Sequence, residues 1–232
     1  MNEAEFDKFA DEYRNLHLEN IKASGETLEF FAEYKIKDTA KLASQLNLKD
    51  TVNVLDYGCG VGNSIPFFKR HLPNCQLTGV DISRKSLEIA EARFPRQARF
   101  VALSGANIPC EDETFDIIFS ACVFHHIPHD EHISILKDIR RTLKTGGLLV
   151  IFEHNPYNPL TVKAVNTCPF DENAVLLRPS QLIASLKGAQ FLSTHLSYRI
   201  FFPGQLRAMR FLEPFLTWLP LGAQYYVAAR KV

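Results

Sequence analysis

Val52-Asn53-Val54-Leu55-Asp56-Tyr57-Gly58-Cys59-Gly60-Val61-Gly62-Asn63 is the stretch that decides how this chain folds. Val52, Val54 and Leu55 are β-formers in a short apolar run, the pattern of a buried strand. The run ends at Asp56 and breaks into Gly58, Gly60 and Gly62. Glycine has no Cβ, so another molecule can come close to the backbone. Asn63 to His71 then has the marks of a helix, with Asn63 or Ser64 as cap and Pro66 in its first turn. A second β-like run, Gln76 to Val80, closes at Asp81. Strand, glycine turn and helix N-terminus form the layout of a nucleotide-type cofactor site. A carboxylate roughly 20 residues past the loop can accept hydrogen bonds from both hydroxyls of a ribose. The order predicts an adenosine-containing cofactor.

The glycines are spaced Gly58-x-Gly60-x-Gly62, not the G-x-G-x-x-G of dinucleotide enzymes. Asp56 also stands just before them, where a carboxylate would repel a pyrophosphate and attract a cationic ammonium or sulfonium. S-adenosylmethionine is therefore favoured over NAD. Leu55 to Gly62 resembles the first motif of class I S-adenosylmethionine-dependent methyltransferases, and Gly79-Val80-Asp81-Ile82-Ser83 resembles the second. The resemblance runs from about Val52 to Val232 and is specific at family level. It implies an α/β, Rossmann-like open and mostly parallel seven-stranded sheet, with an antiparallel last strand, helices on both faces and an N-terminal helical lid. It implies that Gly58, Cys59 and Gly60 pack on the methionine part, with Asp56 as partner of the cationic end. Asp81, with Ile82 beside it, would hold the ribose. Ser104, Gly105 and Ala106 would flank the adenine, with Ser104 where the family often has an aspartate. Ala121 would line the methyl side, and Tyr13 and Tyr34 would belong to the lid. The implied activity is methyl transfer to a small molecule, a sugar or a lipid-linked acceptor.

Composition bounds the alternatives. The chain has 232 residues, 46% of them hydrophobic, enough for one domain with a sizeable core. Residues 1–48 are expected to form the helical cap, 49–153 the cofactor core, and 154–232 a substrate-side segment with the closing strands. Lys+Arg and Asp+Glu are both 26, so nothing favours a nucleic-acid backbone. Five widely spaced cysteines and no C-x-x-C pair argue against zinc, and no metal is expected. Reduced thiols and an acidic, polar start point to the cytosol. No apolar run nears the roughly 20 residues of a membrane span.

Along the chain, Glu5–Leu18 and Glu26–Leu46 carry helical apolar stripes. Arg84–Arg93 is a helix ended by Phe94-Pro95, Ala98–Leu103 a third strand and Phe115–Ser120 a fourth, apolar enough to be covered on both faces. Asp130–Leu143 is a helix stopped by Lys144-Thr145-Gly146-Gly147, and Leu148–Phe152 is the fifth strand. Ala189–Phe202 and Gln224–Arg230 supply the last two. Strand-end turns border the ligand crevice in open α/β sheets. Two of these turns carry candidate chemistry. His125 and His126 stand side by side, and adjacent side chains diverge, so a shared metal is not expected. His126 matches the family's usual histidine there. Glu153 is the first choice for base or substrate orienter, ahead of His154, and the turn to Pro159 is either a substrate loop or a structural turn. Thr161–Arg178 looks like an insertion. Gly204–Leu219, with Phe211, Phe215 and Trp218, is expected to face the core; an exposed face meeting a lipid-bearing substrate or membrane is the alternative. A nucleotide-dependent oxidoreductase and a catalytically silent cofactor-binding protein remain as other classes.

Overall fold

The computed structural model describes residues 21, 24–46, 50–105 and 107–232. The first expected helix and Tyr13 lie outside the described residues, as does Ala106. Helix α1 is Leu28–Ala43, capped by Thr27, whose side chain accepts from Phe30 N. Strand β1 (Val52–Tyr57), helix α2 (Ile65–His71) and strand β2 (Cys75–Asp81) follow as expected. Helix α3 (Arg84–Arg93), β3 (Arg99–Ala102) and β4 (Phe115–Ala121) complete the first half. Then come α4 (His132–Thr142), β5 (Leu143–His154), α5 (Pro159–Asn166), α6 (Pro179–Gly188), β6 (Ser193–Arg199), α7 (Glu213–Leu216) and β7 (Gln224–Arg230).

The seven strands lie in the order β3-β2-β1-β4-β5-β7-β6. Every pairing is parallel except those of β7, which runs against both β5 and β6. Leu55, Ile118, Leu149 and Val227 face one core layer, with Leu136, Ile139, Leu182 and Leu186 of α4 and α6. Val54, Ile117, Val150 and Ala228 face the other, with Ile36 of α1 and Phe68 of α2. The alternation of two apolar sets along single strands is what a sheet covered on both faces requires. No helix among the described residues is long and apolar enough to cross a membrane.

Two expectations need correction. Lys144 to Gly147 belongs to β5: the strand bulges there, Gly146 N donates to Lys231 O at 2.7 Å, and Lys144 Nζ reaches Asp116. Gly204–Leu219 is not core-facing. It is a 3-10 stretch, Gly204–Leu212, followed by the short α7. Two of its charged residues turn inward: Glu213 accepts from Phe201 N and Phe202 N, while Arg210 donates to Glu26 and lies over the Phe30 ring. With those anchors fixed, Phe211, Phe215 and Trp218 point out and are 70%, 74% and 72% exposed.

Candidate active site

The C-terminal ends of the strands form one crest, and its first half is mostly backbone. Gly58 N and Cys59 N both donate to Val80 O, at 2.8 and 3.0 Å. Gly60 N donates to Asp81 Oδ2 at 2.8 Å, and Ser83 N donates to Asp81 Oδ1 at 3.0 Å. The loop after β1 is thus laced to the end of β2. Gly58 has φ +76°, and a Cβ there would lie 2.3 Å from Val123 Cγ2. Gly60 (φ +50°) and Gly105 (φ +72°) differ: a Cβ on either would meet nothing within 4 Å. They open onto space at the ends of β1 and β3, and β2, which carries Asp81, lies between those strands. Bare backbone flanking a carboxylate fits an adenosine-bearing cofactor.

The other expected cofactor residues take varied places. Ser104 and Gly105 are exposed on the turn after β3. Ile82 packs against the core, Cys59 is buried, and Ala121 ends β4 partly buried. Asp56 is buried beneath the loop, and Ser64 Oγ donates to its carboxylate. That explains why Ser64, though at the N-cap of α2, makes no side-chain cap. Burial, with Asp81 adding to it, pushes the Asp56 carboxyl up to about 7, against the pull of Ser64.

The second half of the crest is dense with titratable side chains. Glu153, on β5, is fully buried. It accepts from Val123 N at 3.2 Å and Phe124 N at 2.8 Å, and lies 2.6 Å from His125 Nδ1. Its oxygens hold the turn after β4, which corrects the expectation of a base facing substrate. His126 is also poorly placed for that role, being largely buried with Nε2 3.4 Å from Asp171 Oδ1. Burial and the neighbouring His125 hold it down at about 3. Burial opposes charge on His125 too, but Glu153 and Asp171 outweigh it and raise it to about 10. The two histidine rings do not diverge. Their centroids are 4.2 Å apart and both Nε2 atoms lean toward Asp171, which arrives on the Pro169–Asp171 turn. The expectation treated the pair as isolated on one element.

A further group surrounds Cys122, the residue after β4, which sits at φ +59°. Lys35 Nζ of α1 is 3.4 Å from its Sγ, and Gln224 Nε2 of β7 is 3.8 Å away. Gln224 Nε2 is also 3.4 Å from His154 Nδ1, and Tyr34 donates to Gln224 Oε1. Burial pushes the Cys122 thiol up, but His154 and Lys35 reverse this and bring it to about 6. Tyr34, expected in the lid, thus meets the start of β7 beside the crest. Lys35, Cys122, Asp171 and Gln224 were not among the expected site residues. The available signal was a lysine on the buried side of α1, beside Ile36 and Thr39. The turn after Glu153 proves structural: Asn155 Nδ2 donates to Gly222 O at 2.7 Å, and Asn158 caps α5.

Comparison with known proteins agrees with this geometry. Residues 54–147 match the family described as a methyltransferase domain. Demethylmenaquinone methyltransferase of Thermotoga maritima is 38% identical over 105 residues, 45% of this chain and 44% of that protein. Sterol 4-C-methyltransferase of Caenorhabditis elegans is 30% identical over 150 residues, 62% of this chain and 43% of that one. The chain thus spans less than half the length of these curated relatives. The crystal structure of a Thermotoga maritima S-adenosylmethionine-dependent methyltransferase, a possible histamine N-methyltransferase, shares the fold with TM-score 0.68 and 20% identity, covering 99% of both chains.

Proposed function

We propose that the protein, whose residues 54–147 match the family described as a methyltransferase domain, transfers a methyl group from S-adenosylmethionine to a small apolar or lipid-borne acceptor. The observation that carries the first part is the Asp81 carboxylate set between two glycines that open onto space. When bound, S-adenosylmethionine supplies a methyl carbon already activated by its sulfonium. Asp81 would accept from the ribose hydroxyls, with Ile82 and Cys59 beside it. Gly58 and Gly60 would present backbone to the methionine part, and Ser104 and Gly105 would flank the adenine. Asp56, buried and already accepting from Ser64 at one oxygen, would act on the cationic end through its field. Ala121 would line the methyl side. Positioning acceptor and donor in line supplies much of the acceleration. His154 and Cys122 are the groups we assign to taking up an acceptor proton; the low thiol and the nearby imidazole suit that exchange.

The acceptor class rests on the segment from 204 to 222. Its three aromatic side chains face out, Arg207 is exposed, and its one carboxylate, Glu213, is turned inward. Exposed aromatics beside arginine suit a lipid–water boundary. Relatives named for demethylmenaquinone and sterol substrates support an apolar acceptor. The cytosolic side of a membrane is the matching place for widely spaced thiols. The test is a transfer assay with methyl-labelled S-adenosylmethionine against prenylated quinones, sterols and small organic acids. Label should enter an apolar acceptor. Cofactor binding without transfer to any class would leave a binding protein, and NADH binding in its place would point to the oxidoreductase reading.

A further inference from the structure

We propose that His125, His126 and Asp171 form a binding site for a divalent first-row metal of the zinc class. Their ligand atoms all lie within 4.8 Å of one another. Asp171 Oδ1 is 3.6 Å from His125 Nε2 and 3.4 Å from His126 Nε2. Those separations are long for charge-assisted hydrogen bonds, which run at about 2.7–2.9 Å. They lie close instead to the edge of a tetrahedron, about 3.3–3.4 Å, built on metal–nitrogen and metal–oxygen bonds of about 2.0–2.1 Å. The site is buried, with side-chain exposures of 1%, 8% and 5% for His125, His126 and Asp171.

A second layer is already in place. Glu153 Oε2 lies 2.6 Å from His125 Nδ1, and its other oxygen is fixed by two backbone N–H groups. A carboxylate on the far nitrogen of a metal-bound imidazole fixes its tautomer and aims Nε2 at the ion. Charge points the same way. Glu153 and Asp171 bring two negative charges into a buried cluster, and one dication balances both with the imidazoles neutral. Three protein ligands leave a fourth position for water or a further donor. The ion would pin the Pro169–Asp171 turn onto the turn after β4 and so floor the second half of the crest. It does not depend on the methyl-transfer reading.

The test uses the full chain, stripped with chelator and dialysed, then titrated with Co2+ and back-titrated with Zn2+. About one equivalent of Co2+ should bind with the visible absorption of a four-coordinate site, and Zn2+ should bleach it. Asp171→Asn and His126→Ala should each weaken binding at least tenfold. His129→Ala, at an exposed histidine in the next turn, should leave it unchanged. The proposal is overturned if wild-type protein shows no such absorption at one equivalent, or if His129→Ala weakens binding as much as Asp171→Asn does. The wild-type titration decides the matter should a variant fail to fold.

Discussion

Around the ends of β1, β2 and β3 the crest is bare backbone with one carboxylate; around the ends of β4, β5 and β7 it is packed with titratable side chains. The first half gets its shape from glycines that neighbours need, as at Gly58, or that open space needs, as at Gly60. The second half gets its shape from charges that compensate one another: Glu153 with His125, Asp171 with the histidine pair, Lys35 with Cys122. A shape made of backbone fails through strain. A shape made of buried charge fails by leaving a partner stranded.

The contrast can be broken or sharpened by substitution. The largest effect is expected at Glu153→Ala, which strands a buried imidazole and two backbone N–H groups. Urea denaturation should show a loss of about 3–5 kcal/mol. A loss under about 1 kcal/mol would remove the idea that this half rests on paired charge. Next, Gly58→Ala forces a Cβ into Val123 at positive φ and should cost about 2–4 kcal/mol. Gly60→Ala, which meets nothing, should cost about 1 kcal/mol from φ alone but impair cofactor binding. Equal stability losses for the two glycines would erase the distinction drawn between them.

A pH-dependent effect concerns Asp56, whose folded pKa, about 7, lies above its unfolded value. Between about pH 4 and 7 the folded state then holds more protons than the unfolded one, so this group lowers stability as pH rises through that window. Asp56→Asn removes the slope. Its melting temperature should pull ahead of wild type from pH 5 to pH 8, by on the order of 2 kcal/mol in stability. A constant gap across that range would mean the carboxyl is not raised. The smallest effect on stability is expected at Trp218→Ser, within about 0.5 kcal/mol, because the side chain is mostly exposed. The same variant should lose co-sedimentation with anionic liposomes; if wild type does not sediment with them, the lipid-facing role is wrong.

The legibility of the two halves differs for the same physical reason. The loop after β1 and Asp81 are local features: glycine at positive φ and an acid ending a strand can be read residue by residue. The strands were legible too, because buried strands declare themselves as short apolar runs, while the reversal of β7 was implied only by the family resemblance. The bulged start of β5 was hidden, since Lys144 to Gly147 looks like a helix stop until Asp116 and Lys231 hold it in the sheet. The meeting of Lys35, Cys122, His154 and Gln224 joins α1, β4, β5 and β7, and no window of sequence contains it. Asp171 is similar, an acid in a loop until the fold lays it over His125 and His126. In the 204–216 stretch the helical periodicity was present, but Glu26, Phe201 and Phe202 decide which side faces in.

On the proposed function, the donor is held by the backbone half of the crest and not by the charged half. Calorimetric titration of S-adenosylmethionine into wild type, Asp81→Ala and His126→Ala tests it directly. Asp81→Ala should weaken binding by about 1–3 kcal/mol, while His126→Ala should bind as wild type does. Unchanged affinity in Asp81→Ala, or an equal loss in His126→Ala, would contradict the account.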